Sequence, residues 1–224
     1  MTYRPILDHL FHRESEREQR RAWKEFQYIV GTIVVLQTPL SVNSLANILL
    51  LCPEDISCLL DLLHSVLYVP NDHNLPVRLL HLPFHDFLLN PQNRECPFWV
   101  DEKQIHKQLA MQCLQLMSSP QGLKQNMCNL RPGTRRTEIS DQVMDNCLKA
   151  EVRYACRYWV YHLERSQSRI ENGNLIHKFL QKYFLYWLEV ISLVGDAPES
   201  IRMVGSLQLL LSVSCSSIVI HHLF

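Results

Sequence analysis

Any chemistry in this 224-residue chain would have to come mainly from its eight cysteines and eleven histidines. The cysteines stand at 52, 58, 96, 113, 128, 147, 156 and 215, with no C-x-x-C pair among them, so a paired-ligand zinc site is unsupported and no metal is expected. Most lie within apolar stretches, where a thiol behaves as a small hydrophobe, and the expectation is buried, free thiols. No glycine is followed by lysine, which excludes the phosphate-gripping G-x-x-x-x-G-K-[ST] loop. The G-x-S-x-G elbow and the H-E-x-x-H helix are also absent. A catalytic set is defined by geometry, and no recurring spacing announces one; catalytic residues are therefore not expected and the chain is not read as an enzyme.

The elements that would position these side chains are set by composition and period. Hydrophobic residues make up 47% and charged residues 20%, which supplies a core and argues against disorder. Lys+Arg number 22 and Asp+Glu 22, a formal net charge of +0, so the global pull of a nucleic-acid binder is missing. With 6 glycines, a mainly helical chain is expected. The start, MTYRPILDHLF, carries an early Arg and Asp and no apolar stretch of signal-peptide length, which favours a reducing, cytoplasmic setting.

Residues 1–19 read as a connecting segment, and a mixed-charge run, ESEREQRR, spans residues 14–21. Trp23, Phe26, Ile29, Val30, Ile33 and Leu36 follow at helical spacing, and Pro39 closes that helix. Ser41 can cap a second short helix. A third starts at Pro53, with Glu54 and Asp55 complementing its dipole and Leu59, Leu60, Leu62, Leu63 and Val66 as its buried stripe. Two short apolar runs, 67–69 and 77–80, then flank the turn formers Asn71, Asp72, His73 and Asn74, which predicts a β-hairpin. Three helices and a two-stranded wing describe a winged-helix domain over residues 20–92.

A second, all-α helical domain is expected over residues 98–211. Asp101 opens a helix carrying Ile105, Leu109, Cys113, Leu116 and Met117. Val152, Ala155, Cys156, Trp159, Val160 and Leu163 have the cleanest amphipathic period in the sequence, and Leu175 to Ile191 has a broad face rich in aromatics. Trp159, Tyr183 and Trp187 are candidates for a docking surface, with the helix core as the competing reading. Residues 212–224 form an atypical apolar tail, marginal in length and rich in serine, which reads as an altered chain end and not as a membrane span. The fold class is thus mainly α: a winged-helix domain with a small β-hairpin followed by an all-α helical domain.

The run Gly31 to Leu36, Pro39-Leu40-Ser41, Leu60 to Leu67 and Leu79 to Leu88 resembles the winged-helix part of fungal NACHT-type signal-transduction NTPases, among them the heterokaryon (vegetative) incompatibility proteins with WD-repeat propellers. Phe98 to Glu102, Cys128-Asn129-Leu130, Tyr154 to Val160 and Glu199 to Arg202 extend the resemblance over roughly residues 15 to 211. It implies a larger protein with an effector region, a NACHT nucleotide-binding core, this helical segment and often a propeller. The P-loop and metal-binding acid of the core are not in this sequence, so what the resemblance carries over is a regulatory and connecting role, with ADP or ATP entering only alongside a core. The partners implied, in cis or in trans, are that core and WD-repeat or effector domains.

In such switches a winged-helix histidine donates a hydrogen bond to the diphosphate of bound ADP and holds the closed form. The motif His-x-x-Phe-x-x-Phe-Leu puts that role on His81, against the alternative of a buried histidine satisfying a backbone carbonyl. The family often has Ser and Arg where Pro83 and His85 stand. Phe84, Phe87 and Leu88 read as core by their helical spacing, and the run Arg131 to Arg136 as a solvated loop. A rival function is a stand-alone interaction scaffold or decoy. A DNA-binding winged helix is less well supported, because the segment Pro53 to Leu67 that would enter the groove carries Glu54, Asp55 and Asp61 and no Lys or Arg.

Overall fold

The computed structural model describes residues 3–131, 133–167, 175–194 and 197–214. Among them are ten α-helices, two short 3-10 turns and one two-stranded antiparallel sheet, so the protein is mainly helical. The chain divides into two compact units, Met1–His106 and Lys107–Phe224.

The first unit is built around α2 (Glu16–Val35). Its N-terminal half is charged and exposed, while Phe26 and every residue from Ile29 to Val35 are buried. Phe26 meets Phe11 and Phe98 edge-on, with centroids 5.1 Å away in each case. At Gly31 a Cβ would sit 2.9 Å from Val100 Cγ1 and 3.2 Å from Ile105 Cγ1, so the missing side chain is what admits those two residues. Gln27 Nε2 donates to the carbonyls of Pro97 (2.8 Å) and Trp99 (3.0 Å). Residues 97–105 are thereby tied to α2 and belong with the first unit, although the sequence reading starts the second domain at residue 98.

The remaining elements of this unit follow from local chemistry. Ser41 Oγ accepts from Ser44 N and caps α3 (Val42–Leu49), as expected. Leu50 closes α3 in the left-handed region (φ 56°), and α4 (Pro53–Asp61) starts at its proline. Leu59, Leu60, Leu63 and Val66 are buried, whereas Leu62 is 38% exposed and drops out of the expected stripe. Strands β1 (Leu67–Tyr68) and β2 (Arg78–Leu79) pair in the register Leu67 with Leu79 and Tyr68 with Arg78. The segment before α3 adds a short ladder, since Ser41 bridges Pro76 and Val77 N donates to Leu40 O. Then comes α5 (Leu82–Leu89), which buries Phe84, Phe87 and Leu88.

The first residues are more than a connection. Helix α1 (Arg4–Leu10) buries Leu7, and Phe11 just beyond it is 2% exposed. A helix this short is marginal alone and is held by that packing.

Helix α6 (Glu102–Ser118), with Asp101 Oδ1 accepting from Gln104 N at its start, runs past the division between the units. In the second unit it is followed by α7 (Asp141–Cys147), α8 (Ala150–Ser166), α9 (Leu175–Val194) and α10 (Ala197–Ser214), of which α8, α9 and α10 pack on one another. The expected faces of α8 and α9 are the buried ones. Past α6 the chain turns so tightly that a Cβ on Gly122 would lie 2.4 Å from the carbonyl oxygens of Leu116 and Met117. Only glycine fits there. Helix α10 continues into the segment expected as a tail, and residues 215–224 lie outside the described ones. Among the described residues no helix is long and apolar enough to cross a membrane.

Candidate functional site

His81 lies between β2 and α5, where it is the N-cap residue of the helix with extended backbone (φ −127°, ψ 101°). It is exposed, so the alternative of a buried histidine bonded to a backbone carbonyl does not hold. Its Nδ1 lies 2.8 Å from the hydroxyl of Tyr3, 78 residues earlier in the chain. The Tyr3 ring is seated by Phe84 and Phe87, at centroid distances of 5.2 and 5.4 Å, and meets the His81 ring edge-on at 6.1 Å. Pro83 in the first turn of α5 has no N–H, which leaves this helix start with fewer free amides for an anion than most. The imidazole is the principal donor on offer. Tyr3 was not singled out from sequence; its Tyr-Arg-Pro setting gave no sign of a partner so far along the chain.

The aromatic candidates of the second unit separate. Trp159 and Trp187 are both 0% exposed and stack edge-on, with centroids 5.6 Å apart. Trp187 Nε1 donates to Cys156 O (2.8 Å), and Trp159 meets Phe179 at 5.4 Å. The reading of these two indoles as docking anchors is therefore corrected: both are buried where α8 meets α9, because each sits on the stripe that these helices turn towards one another. Tyr183 is half-buried and donates its hydroxyl to Ser118 O (3.2 Å), stacking on Phe179. It too is engaged within the unit.

The cysteines also depart from expectation. Cys96, Cys113 and Cys156 are buried free thiols as anticipated, but Cys52 and Cys58 are exposed, and Cys128 is joined to Cys147 by a disulfide with Cα atoms 5.3 Å apart. The expectation of buried, free thiols fails at those four residues, and Cys215 lies outside the described ones. The pair bonds because α7 carries Cys147 back to the connection that follows α6, a proximity that spacing does not encode. Burial pushes the Cys113 and Cys156 thiols far up and holds them protonated. Cys52 is raised as well, first by its hydrogen bond to Glu54 and also by the carboxylates of Glu54 and Asp55, while Glu54 is lowered by accepting that bond.

These directions set an order of reactivity. Iodoacetamide at pH 8 should reach the exposed Cys52 and Cys58 and leave Cys113 and Cys156 untouched in the folded chain. Glu54→Ala should move the Cys52 rate profile to lower pH, because removing the acceptor and its charge frees thiolate at a given pH. Mass-spectrometric rates over pH 7 to 10 check this; equal profiles with and without Glu54 would contradict it.

Electrostatically the one-sided feature is α2, where Arg17, Arg20, Arg21 and Lys24 share a face at i, i+3, i+4 and i+7. Arg20 pairs with Glu16 at 3.2 Å, and the face is an open helix surface lined by α2 alone. Helix α4 has no Lys or Arg. In the loop from Arg131 to Arg136, Arg131 and Arg135 are exposed and Pro132 lies outside the described residues. Among the described residues no cluster of His, Cys, Asp or Glu could hold a metal ion.

The chain is thus mainly helical, with an exposed, tyrosine-bonded histidine at the entry to α5. No protein-family model matches it, and no solved structure does. It is similar to vegetative incompatibility protein HET-E-1 of Podospora anserina, with 26% identity over an alignment of 230 residues that covers 92% of this chain and 17% of that protein. The likeness supports a relation to the incompatibility proteins, and the chain spans only that 17% of its relative's length.

Proposed function

We propose that this chain is a non-catalytic regulatory and connecting segment of a NACHT-type signalling NTPase. In this reading a winged-helix domain and a following helical domain relay nucleotide state between the NTPase core and effector or sensor domains. The observation that carries the proposal is the similarity to HET-E-1 along 92% of the chain. Support for the winged helix comes from α3 and α4 joined by the turn Leu50–Cys52, the β1–β2 hairpin, and the bridge from Ser41 to Pro76 beside it. In this reading His81, exposed at the start of α5, donates to the diphosphate of ADP held by a core. Its bond to an ionic phosphate would strengthen the closed form and be lost when the domains part, which biases a two-state switch. The working partners are that core and WD-repeat or effector domains, in a cytoplasmic setting and without nucleic acid.

The purified chain is expected to turn over no ATP, and measurable hydrolysis would overturn the non-catalytic reading. Joined to an upstream NACHT core, it should acquire ADP binding that His81→Ala weakens roughly ten- to hundredfold, the range of a hydrogen bond to a charged group. Titration calorimetry on the parent and the variant decides it; equal affinities would leave His81 with no part in nucleotide sensing.

A further inference from the structure

Taking His81 as the phosphate-sensing residue of the preceding section, we propose that Tyr3 is its positioning residue. Tyr3 holds the neutral imidazole in the form protonated on Nε2, so that Nε2–H is the donor presented outward. The inference starts from the 2.8 Å contact between the Tyr3 hydroxyl and His81 Nδ1. Between a phenol and a neutral imidazole, the phenol is the better donor and the ring nitrogen the better acceptor. The hydroxyl therefore donates and Nδ1 accepts, which leaves the proton on the other nitrogen.

Packing makes this arrangement specific. Phe84 and Phe87 stand one helical turn apart on α5 and flank the Tyr3 ring, fixing where its hydroxyl ends. The same helix carries His81 at its cap, so the rings that seat Tyr3 and the nitrogen that accepts its hydrogen bond are mounted on one element. His81 itself is exposed, and Nε2 has no hydrogen-bond partner among the described residues. A hydrogen bond that sets which imidazole nitrogen is protonated, with the other turned to a ligand, is the arrangement by which partners of histidine define its role.

The experiment uses the full chain with 15N-labelled histidine, read by long-range proton–nitrogen NMR at a pH where imidazole is neutral. His81 is assigned from the signal lost in His81→Gln. The expected result is a protonated Nε2 and a bare Nδ1. Tyr3→Phe keeps the ring between Phe84 and Phe87 and removes only the hydroxyl, so far-UV circular dichroism should stay the same. The tautomer ratio should move about three- to tenfold towards Nδ1–H, the span of one neutral hydrogen bond. A wild-type His81 protonated on Nδ1, or a ratio unmoved by Tyr3→Phe, overturns the inference.

With a NACHT core attached and ADP as the probe, Tyr3→Phe should weaken binding two- to tenfold and add nothing to His81→Ala. A tautomer shift with unaltered ADP affinity in Tyr3→Phe overturns the positioning role in sensing. If His81→Ala also leaves ADP affinity intact, the sensing reading itself falls, and the NMR result tells the two failures apart.

Discussion

Trp187→Ala should destabilise the second unit by about 3–5 kcal/mol, the range for deleting a fully enclosed aromatic side chain. The ring is 0% exposed, meets Trp159 edge-on at 5.6 Å and Phe184 at 5.8 Å, and donates to Cys156 O at 2.8 Å. Truncation removes the ring contacts, opens a void between α8 and α9, and takes away the donor on that carbonyl. A domain is typically stable by only about 5–15 kcal/mol, so the loss is a large part of the whole. Trp187→Phe keeps much of the volume and should lose less, about 1–2 kcal/mol for the hydrogen bond and the missing ring. Leu185→Ala on the same helix is the control, being 74% exposed, and should change stability by no more than about 0.5 kcal/mol. Urea unfolding followed by circular dichroism reads all three. A Trp187→Ala shift as small as that of Leu185→Ala would mean the indole is not enclosed in solution.

Opening the Cys128–Cys147 bond should lower stability by about 3 kcal/mol. The bond closes a loop with a sequence separation of 19, and by the chain-entropy argument a loop of that length restricts the unfolded ensemble by about that amount. It fastens the connection after α6 to the end of α7, a stretch with few regular hydrogen bonds of its own. The measurement is urea unfolding with and without dithiothreitol, in the parent and in Cys128→Ser/Cys147→Ser. The parent should lose stability on reduction, while the double variant should start at the lower value and ignore the reductant. Coincident curves for the oxidised parent and the double variant would show that the bond contributes nothing. Cys113 and Cys156 should not confuse the result, since both are buried with their thiols held protonated.

Where one residue type and its near neighbours decide an outcome, the sequence was readable. Ser41 announces the start of α3, Pro53 with Glu54 and Asp55 the start of α4, and the strict period from Val152 to Leu163 the buried face of α8. The turn formers at 71–74 gave the hairpin because backbone preference there is local. Other features depend on what lies far along the chain. A period shows that Trp159 and Trp187 each lie on the apolar face of a helix but not which elements cover those faces, and here the cover is complete. Helix α1 has too few residues to be announced by propensity and exists because Leu7 and Phe11 are buried. Cysteine spacing does not define pairing, so Cys128–Cys147 was out of reach. For the candidate site, the junction carrying His81 was legible and its tyrosine was not, since no local pattern links residue 3 to residue 81.

The attachment of residues 97–105 to α2 also has a consequence for synthesis on the ribosome. Phe98 is the third ring against Phe11 and Phe26, and Val100 and Ile105 fill the notch at Gly31. A nascent chain that has emerged only as far as the hairpin and α5 still exposes that notch and one side of the aromatic trio to water. The interior of the first unit is therefore completed only once the opening turns of α6 have left the exit tunnel, and until then its apolar surface is open to chaperones.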